Sequence, residues 1–166
     1  NFFNGSLVFS SSGNNNLNNT NQLKSNIIND FSYKTEDYIT NLGLSNNIDI
    51  NLKNLNSIGK NSEYKSSPQS EIVSIFSFNS SFPLQKNVGD YQSLLTPKAS
   101  IRINPSDMKN YTSSNKIINV GNIFNLNRLG LSDTHESGRS LTLGVDYRKE
   151  KINNKKLDKD ELENIN

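Results

Sequence analysis

The charged residues best placed to form a site lie close together between residues 128 and 136. Arg128, Asp133 and Glu136 bring one guanidinium and two carboxylates into a short segment. Guanidinium and carboxylate groups can form paired, charge-assisted hydrogen bonds. One interpretation is an ion-pair cluster that locks a loop and acts as a binding element. The other is a solvated loop with ordinary charges, because exposed ion pairs contribute little stability.

A second set of basic residues alternates with apolar residues further up the chain. Lys98 and Arg102 are separated by four positions, so in a strand they project from the same face. Such donors can contact phosphate or carboxylate groups. The alternative is that they contribute only the general polarity of a wet surface.

The sequence contains no recognisable catalytic or metal-binding motif. His135 is its only histidine and Cys is absent, and no potential ligand or base lies at motif spacing from His135. We therefore interpret His135 as an exposed loop residue and predict no enzyme activity, no cofactor and no metal site. The net charge of +2 gives no basic footprint for nucleic acid.

The composition limits the kind of core that the chain can build. Only 32% of the residues are hydrophobic and 8% are aromatic. Either the chain is largely disordered, or its apolar residues all lie on one face of a sheet whose other face is wet. No apolar run approaches the roughly 20 residues of a transmembrane helix.

Alternation of apolar and polar residues favours the sheet. Leu141, Leu143, Val145 and Tyr147 alternate with polar residues or glycine, which is the period of a strand with one wet face. The same reasoning predicts an all-β, antiparallel fold over residues 1–149, with about six strands at 3–11, 23–33, 39–53, 70–82, 94–104 and 139–149. A long loop is predicted at about 105–137, and a polar tail or loop at 150–166.

Amphipathic strands of this length suit a transmembrane barrel. Strands of about 9–11 residues cross a bilayer, with apolar side chains towards lipid and polar ones towards the interior. Only half of each strand is then apolar, in agreement with the composition. Soluble β-sandwiches and adhesin-like domains use the same alternation, so periodicity alone leaves both alternatives open.

The second half of the chain resembles a known family. Leu94-Leu95-Thr96-Pro97-Lys98 is similar to the L-x-P strand of the LptD family of outer-membrane lipopolysaccharide-assembly proteins. Residues 122–138 resemble the same family's N-L-F-x-x-x-R-F-x-G-x-D-R-x-E-x-G segment. The matching positions are Asn122, Phe124, Arg128, Asp133, Glu136 and Gly138, and the departures are Leu131 and Thr134.

The resemblance implies a piece of the C-terminal barrel of a lipopolysaccharide translocon in the outer membrane. The chain opens Asn1-Phe2-Phe3 without Met, as an interior piece would. The implied partners are lipopolysaccharide, a lipoprotein plug and periplasmic bridge proteins. Two other functions remain possible: another outer-membrane barrel, such as a porin or receptor, and a secreted, soluble β-sandwich.

Overall fold

The computed structural model describes residues 4–107 and 116–152, and every regular element in them is a β-strand. No helix in these residues is long and apolar enough to cross a membrane. The strands are β1 (Gly5–Asn18), β2 (Gln22–Thr35), β3 (Tyr38–Ile39), β4 (Ser45–Lys60), β5 (Gln69–Ser81), β6 (Leu84–Val88), β7 (Tyr91–Asn104) and β8 (Gly138–Lys151).

The eight strands form one antiparallel sheet, curled as half of a barrel. β3 continues the line of β2 beside β4, and β6 continues the line of β5 beside β7. The sheet is therefore a six-stranded meander in the order β1, β2, β4, β5, β7, β8. The predicted all-β, antiparallel fold is confirmed.

The alternation seen in the sequence separates two chemically different faces. On the outer face, one cross-strand row contains Leu7, Tyr33, Ile50, Phe76 and Ile103. On the inner face, the row beside it contains Lys34, Asp49, Ser77, Arg102 and Ser140. Because successive side chains point to opposite faces, the period of two in the sequence becomes an apolar face and a polar face.

The fifth strand mixes the two patterns for a structural reason. Its outward residues include Phe76 and Phe78, whereas Val73 and Ile75 point inward and are almost fully buried. Val73 and Ile75 are the buried hydrophobic residues of the described chain, so its apolar core is very small.

Several strands run further than the sequence patterns indicated. β1 continues to Asn18 and β4 to Lys60, through segments that read as turns from their Asn content. Side chains bond across the strands where these extensions begin: Ser11 Oγ donates to Asn29 Oδ1 at 2.7 Å, and Asn29 Nδ2 donates to Asn54 Oδ1 at 3.3 Å. Cross-strand bonding thus overrides the weak β propensity of Asn.

The connections fall at two ends of the sheet. Residues 19–21 and 61–68 lie at one end, here called the loop end, where β7 also ends at Asn104 and β8 begins at Gly138. Residues 40–44 and the two-residue turn 89–90 lie at the other, here called the turn end. The left-handed backbone of Gly89, with φ of 56°, makes the two-residue connection between β6 and β7 possible.

Phe3 of the first predicted strand and residues 153–166 of the predicted tail are outside the described residues, while Glu150 and Lys151 belong to β8.

Candidate functional site

Residues 116–137 of the connection between β7 and β8 fold back over the inner face of the sheet. They are organised by local turns rather than by regular structure. The Asn127 side chain bonds both the carbonyl and the amide of Leu131, at 2.8 and 3.2 Å, around Gly130 with φ of 59°. We call residues 116–137 the inner loop.

Two side chains of β7 hold the inner loop by its backbone. Arg102 Nε donates to the carbonyl oxygen of Leu126 at 3.0 Å, and Arg102 Nη2 donates to that of Glu136 at 2.7 Å. Asn104 Nδ2 donates to the carbonyl oxygens of His135 at 3.3 Å and Glu136 at 3.1 Å. Arg102 and Asn104 thus satisfy loop carbonyls that burial removes from water, which is what makes a buried loop tolerable.

A two-pronged ion pair closes the inner loop on itself. Arg128 Nε and Nη2 donate to the two carboxylate oxygens of Glu136 at 3.0 and 2.7 Å. Arg102 Nη1 lies 3.8 Å from Glu136 Oε2, so this carboxylate faces two guanidinium groups. The side chains of Arg102 and Arg128 are 4% and 9% exposed, and that of Glu136 is 21% exposed. Because these charged groups are buried, paired and hydrogen-bonded, their interaction stabilises the inner loop strongly in this one position.

Of the five candidate site residues predicted from the sequence, the structure brings three together and leaves two apart. Arg102, Arg128 and Glu136 come together in the cluster just described. Asp133 is half-buried in the same loop, and no hydrogen bond or ion pair to it occurs within the described part of the chain. Lys98 lies further along β7, where it forms an ion pair with Asp146 of β8.

His135 is buried, which corrects the expectation of an exposed loop histidine. It is 4% exposed, and its Nε2 lies 2.6 Å from Asn51 Oδ1 of β4. The pKa of His135 is lowered to about 4, chiefly by burial and in addition by the charges of Lys53 and Arg102, while the charge of Asp30 acts in the opposite direction. The imidazole is therefore neutral at pH 7. Sequence reasoning missed this contact because the two residues are 84 positions apart.

An aromatic residue anchors the start of the inner loop on β8. The Phe124 ring sits over Gly144, where an added Cβ would lie 2.8 Å from the end of the ring. Lys98 Nζ lies 6.0 Å from the centre of the same ring. Gly144 therefore provides the space that the ring occupies, a role that the alternation pattern alone did not reveal.

An open cavity of about 220 Å³ remains on the inner face beside Phe124. Most of the residues that line it are polar, and they include both signs of charge, from Lys34, Lys98 and Asp49. Asn79 bridges part of this surface, accepting from Ser100 Oγ at 2.6 Å and donating to Asp49 at 3.0 Å. Such a recess can hold water or a polar, hydroxyl-rich group.

The comparisons with known proteins add no identity. No protein-family model, no curated protein and no solved structure matches the chain. Within residues 4–107 and 116–152, no group of His, Asp and Glu side chains is arranged to hold a metal ion.

Proposed function

We propose that this chain forms part of the wall of an outer-membrane β-barrel, with the inner loop lying in the lumen. The observation that supports this proposal most strongly is that the sheet buries charged side chains on its inner face and exposes apolar side chains on its outer face. Lys53 and Arg102 are 5% and 3% exposed on the inner face, whereas Phe9 and Leu143 are 66% and 73% exposed on the outer face. A chain built for water would place these groups the other way round.

The inversion favours a membrane over a soluble sandwich. Two sheets of a sandwich pack their apolar faces together and leave their polar faces wet. Here the polar face is the covered one, held by Arg102 and Asn104 to the inner loop. The apolar residues of the outer face are exposed or half-buried throughout the described residues, and strands of 13–16 residues exceed the length that a bilayer crossing requires.

Closure of the barrel then follows from backbone chemistry. Each N–H and C=O group in hydrocarbon must be hydrogen-bonded, so a sheet in the bilayer cannot keep an open edge. β1 and β8 are the two edges of the described sheet. In this proposal both pair with further strands of the same barrel.

Lipopolysaccharide transport is the function we propose for this barrel. It is supported by the resemblance of residues 122–138 to the LptD segment, and by where the matching residues lie. Arg128 and Glu136, two of the matching positions, form the ion pair that closes the inner loop. Phe124, another match, is the aromatic anchor on Gly144. Three of the six matching residues, Phe124, Arg128 and Glu136, therefore take part in closing and anchoring the inner loop.

The proposal carries the partners of that family with it. Lipopolysaccharide would cross beside the polar inner face, and a lipoprotein plug and periplasmic bridge proteins would complete the path. Lys98 and Arg102 lie on that face, but both are engaged, with Asp146 and with the inner loop respectively. Of the two, Lys98 is the better candidate for a phosphate contact because its side chain is 35% exposed.

Conditional depletion of the protein in its own organism tests this function. The expected result is a fall in surface lipopolysaccharide and its accumulation inside the outer membrane, with other barrels still assembled. Normal surface lipopolysaccharide together with lost solute flux would contradict the transport function and favour a porin or receptor. Re-expression of the protein must restore the surface lipopolysaccharide, which controls for indirect effects of depletion.

A further inference from the structure

The apolar band on the outer face lies at a different height on each strand. On β1 and β2 it is carried by Leu7 and Phe9 and by their neighbours Phe31 and Tyr33. On β4 it covers Ile48–Leu52. The following outward positions of β4, Asn54 and Asn56, are polar, so the continuous band ends there on the side of the loop end. The outward apolar residues beyond it are separated from the band by polar residues or glycine; they include Leu17, Ile27 and Ile72.

Towards the other edge of the sheet the band moves to the turn end. On β5 it is centred between Phe76 and Phe78. On β7 it extends from Ile103 down to Leu95, and on β8 it covers Leu141–Tyr147. Along the cross-strand register, the middle of the β8 band at Gly144 corresponds to Ser45 of β4.

The change in height of the apolar band from one strand to the next is the one expected of strands that are tilted in a bilayer. The middle of the band lies level with Asn51 of β4 at the first edge of the sheet and with Ser45 at the last. A descent of about six residues is about 20 Å of strand, across about 24 Å of sheet width, which is an angle of about 40°. Strands of membrane barrels tilt by roughly 35–45°, so a band that is level in the bilayer must descend along the register in this way.

We infer that lipid acyl chains cover this oblique band and that, on β1, β2 and β4, its upper boundary lies between two adjacent rows of residues. The inference rests on the proposed membrane barrel and specifies how the sheet is seated in it. The last row in hydrocarbon is Phe9, Phe31 and Leu52, and the first row outside it is Ser11, Asn29 and Asn54.

The chemistry of the upper row fits a boundary with water. Ser11, Asn29 and Asn54 form a hydrogen-bonded ladder on the outer face, extended by a 3.1 Å bond from Asn54 Nδ2 to Ser70 Oγ. Side-chain amides that already bond one another can still bond water or lipid headgroups, whereas in hydrocarbon their remaining donors would be costly.

The opposite rim of the band is marked by tyrosines. Tyr38, Tyr91 and Tyr147 all point outward near the turn end and are exposed. Lys149 Nζ lies 4.6 Å from the centre of the Tyr91 ring. Tyrosine rings with nearby basic groups are typical of the membrane–water interface, where the ring is buried and its hydroxyl is wet.

The seating leaves part of the sheet outside the bilayer. Beyond the boundary β4 continues from Lys53 to Lys60, and β1 and β2 continue beside it. Tilted eight-residue extensions of this kind reach about 20 Å. β7 and β8, by contrast, end close to the boundary, at Asn104 and Gly138. The parts of β1, β2 and β4 beyond the boundary therefore stand in water at the loop end of the sheet.

Fluorescent labelling at single cysteines tests the seating, because the sequence has no cysteine of its own. The protein is purified whole, labelled with a polarity-sensitive dye at Leu52→Cys, Val145→Cys or Asn56→Cys, and reconstituted into phosphatidylcholine vesicles. Quenchers are doxyl groups on the acyl chains and iodide in the water. Asp146→Cys, adjacent to Val145 but on the inner face, is the matched control.

Acyl-chain doxyl should quench the labels at Leu52 and Val145 about twofold or more, and iodide should quench the labels at Asn56 and Asp146 instead. Doxyl quenching at Asn56 equal to that at Leu52 would overturn the boundary while leaving the barrel intact. Doxyl quenching at Leu52 but not at Val145 would overturn the tilt. Iodide quenching of all four labels, with none by doxyl, would remove the membrane proposal itself.

Discussion

Removing the charge of Glu136 should release the inner loop without unfolding the sheet. Glu136→Gln keeps the size of the side chain and the backbone carbonyl that Arg102 binds, but it removes the carboxylate between Arg102 and Arg128. Two guanidinium groups would then face each other with no counter-charge between them. The loop would separate them by leaving the inner face.

The size of the effect follows from the burial of the three groups. Removing one partner of a fully buried ion pair costs about 3–5 kcal/mol. The Glu136 side chain is 21% exposed, so water screens part of the interaction. We expect a loss of about 2 kcal/mol in loop docking, which is roughly a 30-fold increase in the open population.

Hydrogen exchange of the intact protein in detergent or vesicles measures this population. Peptides from the inner loop should exchange about 30-fold faster in Glu136→Gln, while peptides from β4 and β5 keep their protection. Asp133→Asn is the matched control, since it removes one charge from the same loop outside the cluster. Equal exchange in the two variants, or uniform loss of protection across the sheet, would refute a latch at Glu136.

Three further predictions address other contacts of the inner loop and the outer face. Because the pKa of His135 is lowered to about 4 in the docked loop, docking is fully stable above pH 6.5 and weakens by up to about 3 kcal/mol as pH falls from 6.5 to 4. Hydrogen exchange of the loop, measured against pH, should show this slope, and His135→Gln should flatten it. Gly144→Ala should displace the Phe124 ring and destabilise docking of the loop by about 1–2 kcal/mol. When Phe124→Ala is already present, Gly144→Ala should cause no further loss, and losses that add in the double variant would contradict the contact between the two residues. Leu143→Arg should destabilise the protein in vesicles by about 2–4 kcal/mol and Ser25→Arg by less than about 1 kcal/mol, as judged by urea unfolding; equal effects would contradict an apolar band that excludes Ser25.

The sequence predicted the faces of the sheet better than the lengths of its strands. The faces depend on local alternation, as in Leu141–Tyr147, and each apolar residue there lies on the outer face. The ends of β1 and β4 depend on cross-strand partners. Asn14–Asn18 has the composition of a turn, but each residue pairs with a residue of β2, and the chain turns only at Asn19 and Thr20, with φ of 48° and 53°.

The candidate site was predicted only where its partners are close in sequence. Arg128 and Glu136 are eight positions apart, so their pairing could be anticipated. Arg102 was identified as an inner-face residue, but its bonds to the carbonyls of Leu126 and Glu136 depend on how the loop folds back. The burial of His135 against Asn51 requires the curl of the whole sheet, which no local pattern contains.

Extraction of the outer membrane with alkaline carbonate and urea tests directly whether the apolar outer face lies in hydrocarbon. These treatments release proteins held by charge or by other proteins, but not a barrel whose outer face is in hydrocarbon. We expect the protein to stay in the membrane pellet and to keep a heat-sensitive, compact mobility on gels. Recovery in the supernatant as a folded, soluble protein would contradict it, because the exposed apolar face would then need a protein partner instead of lipid.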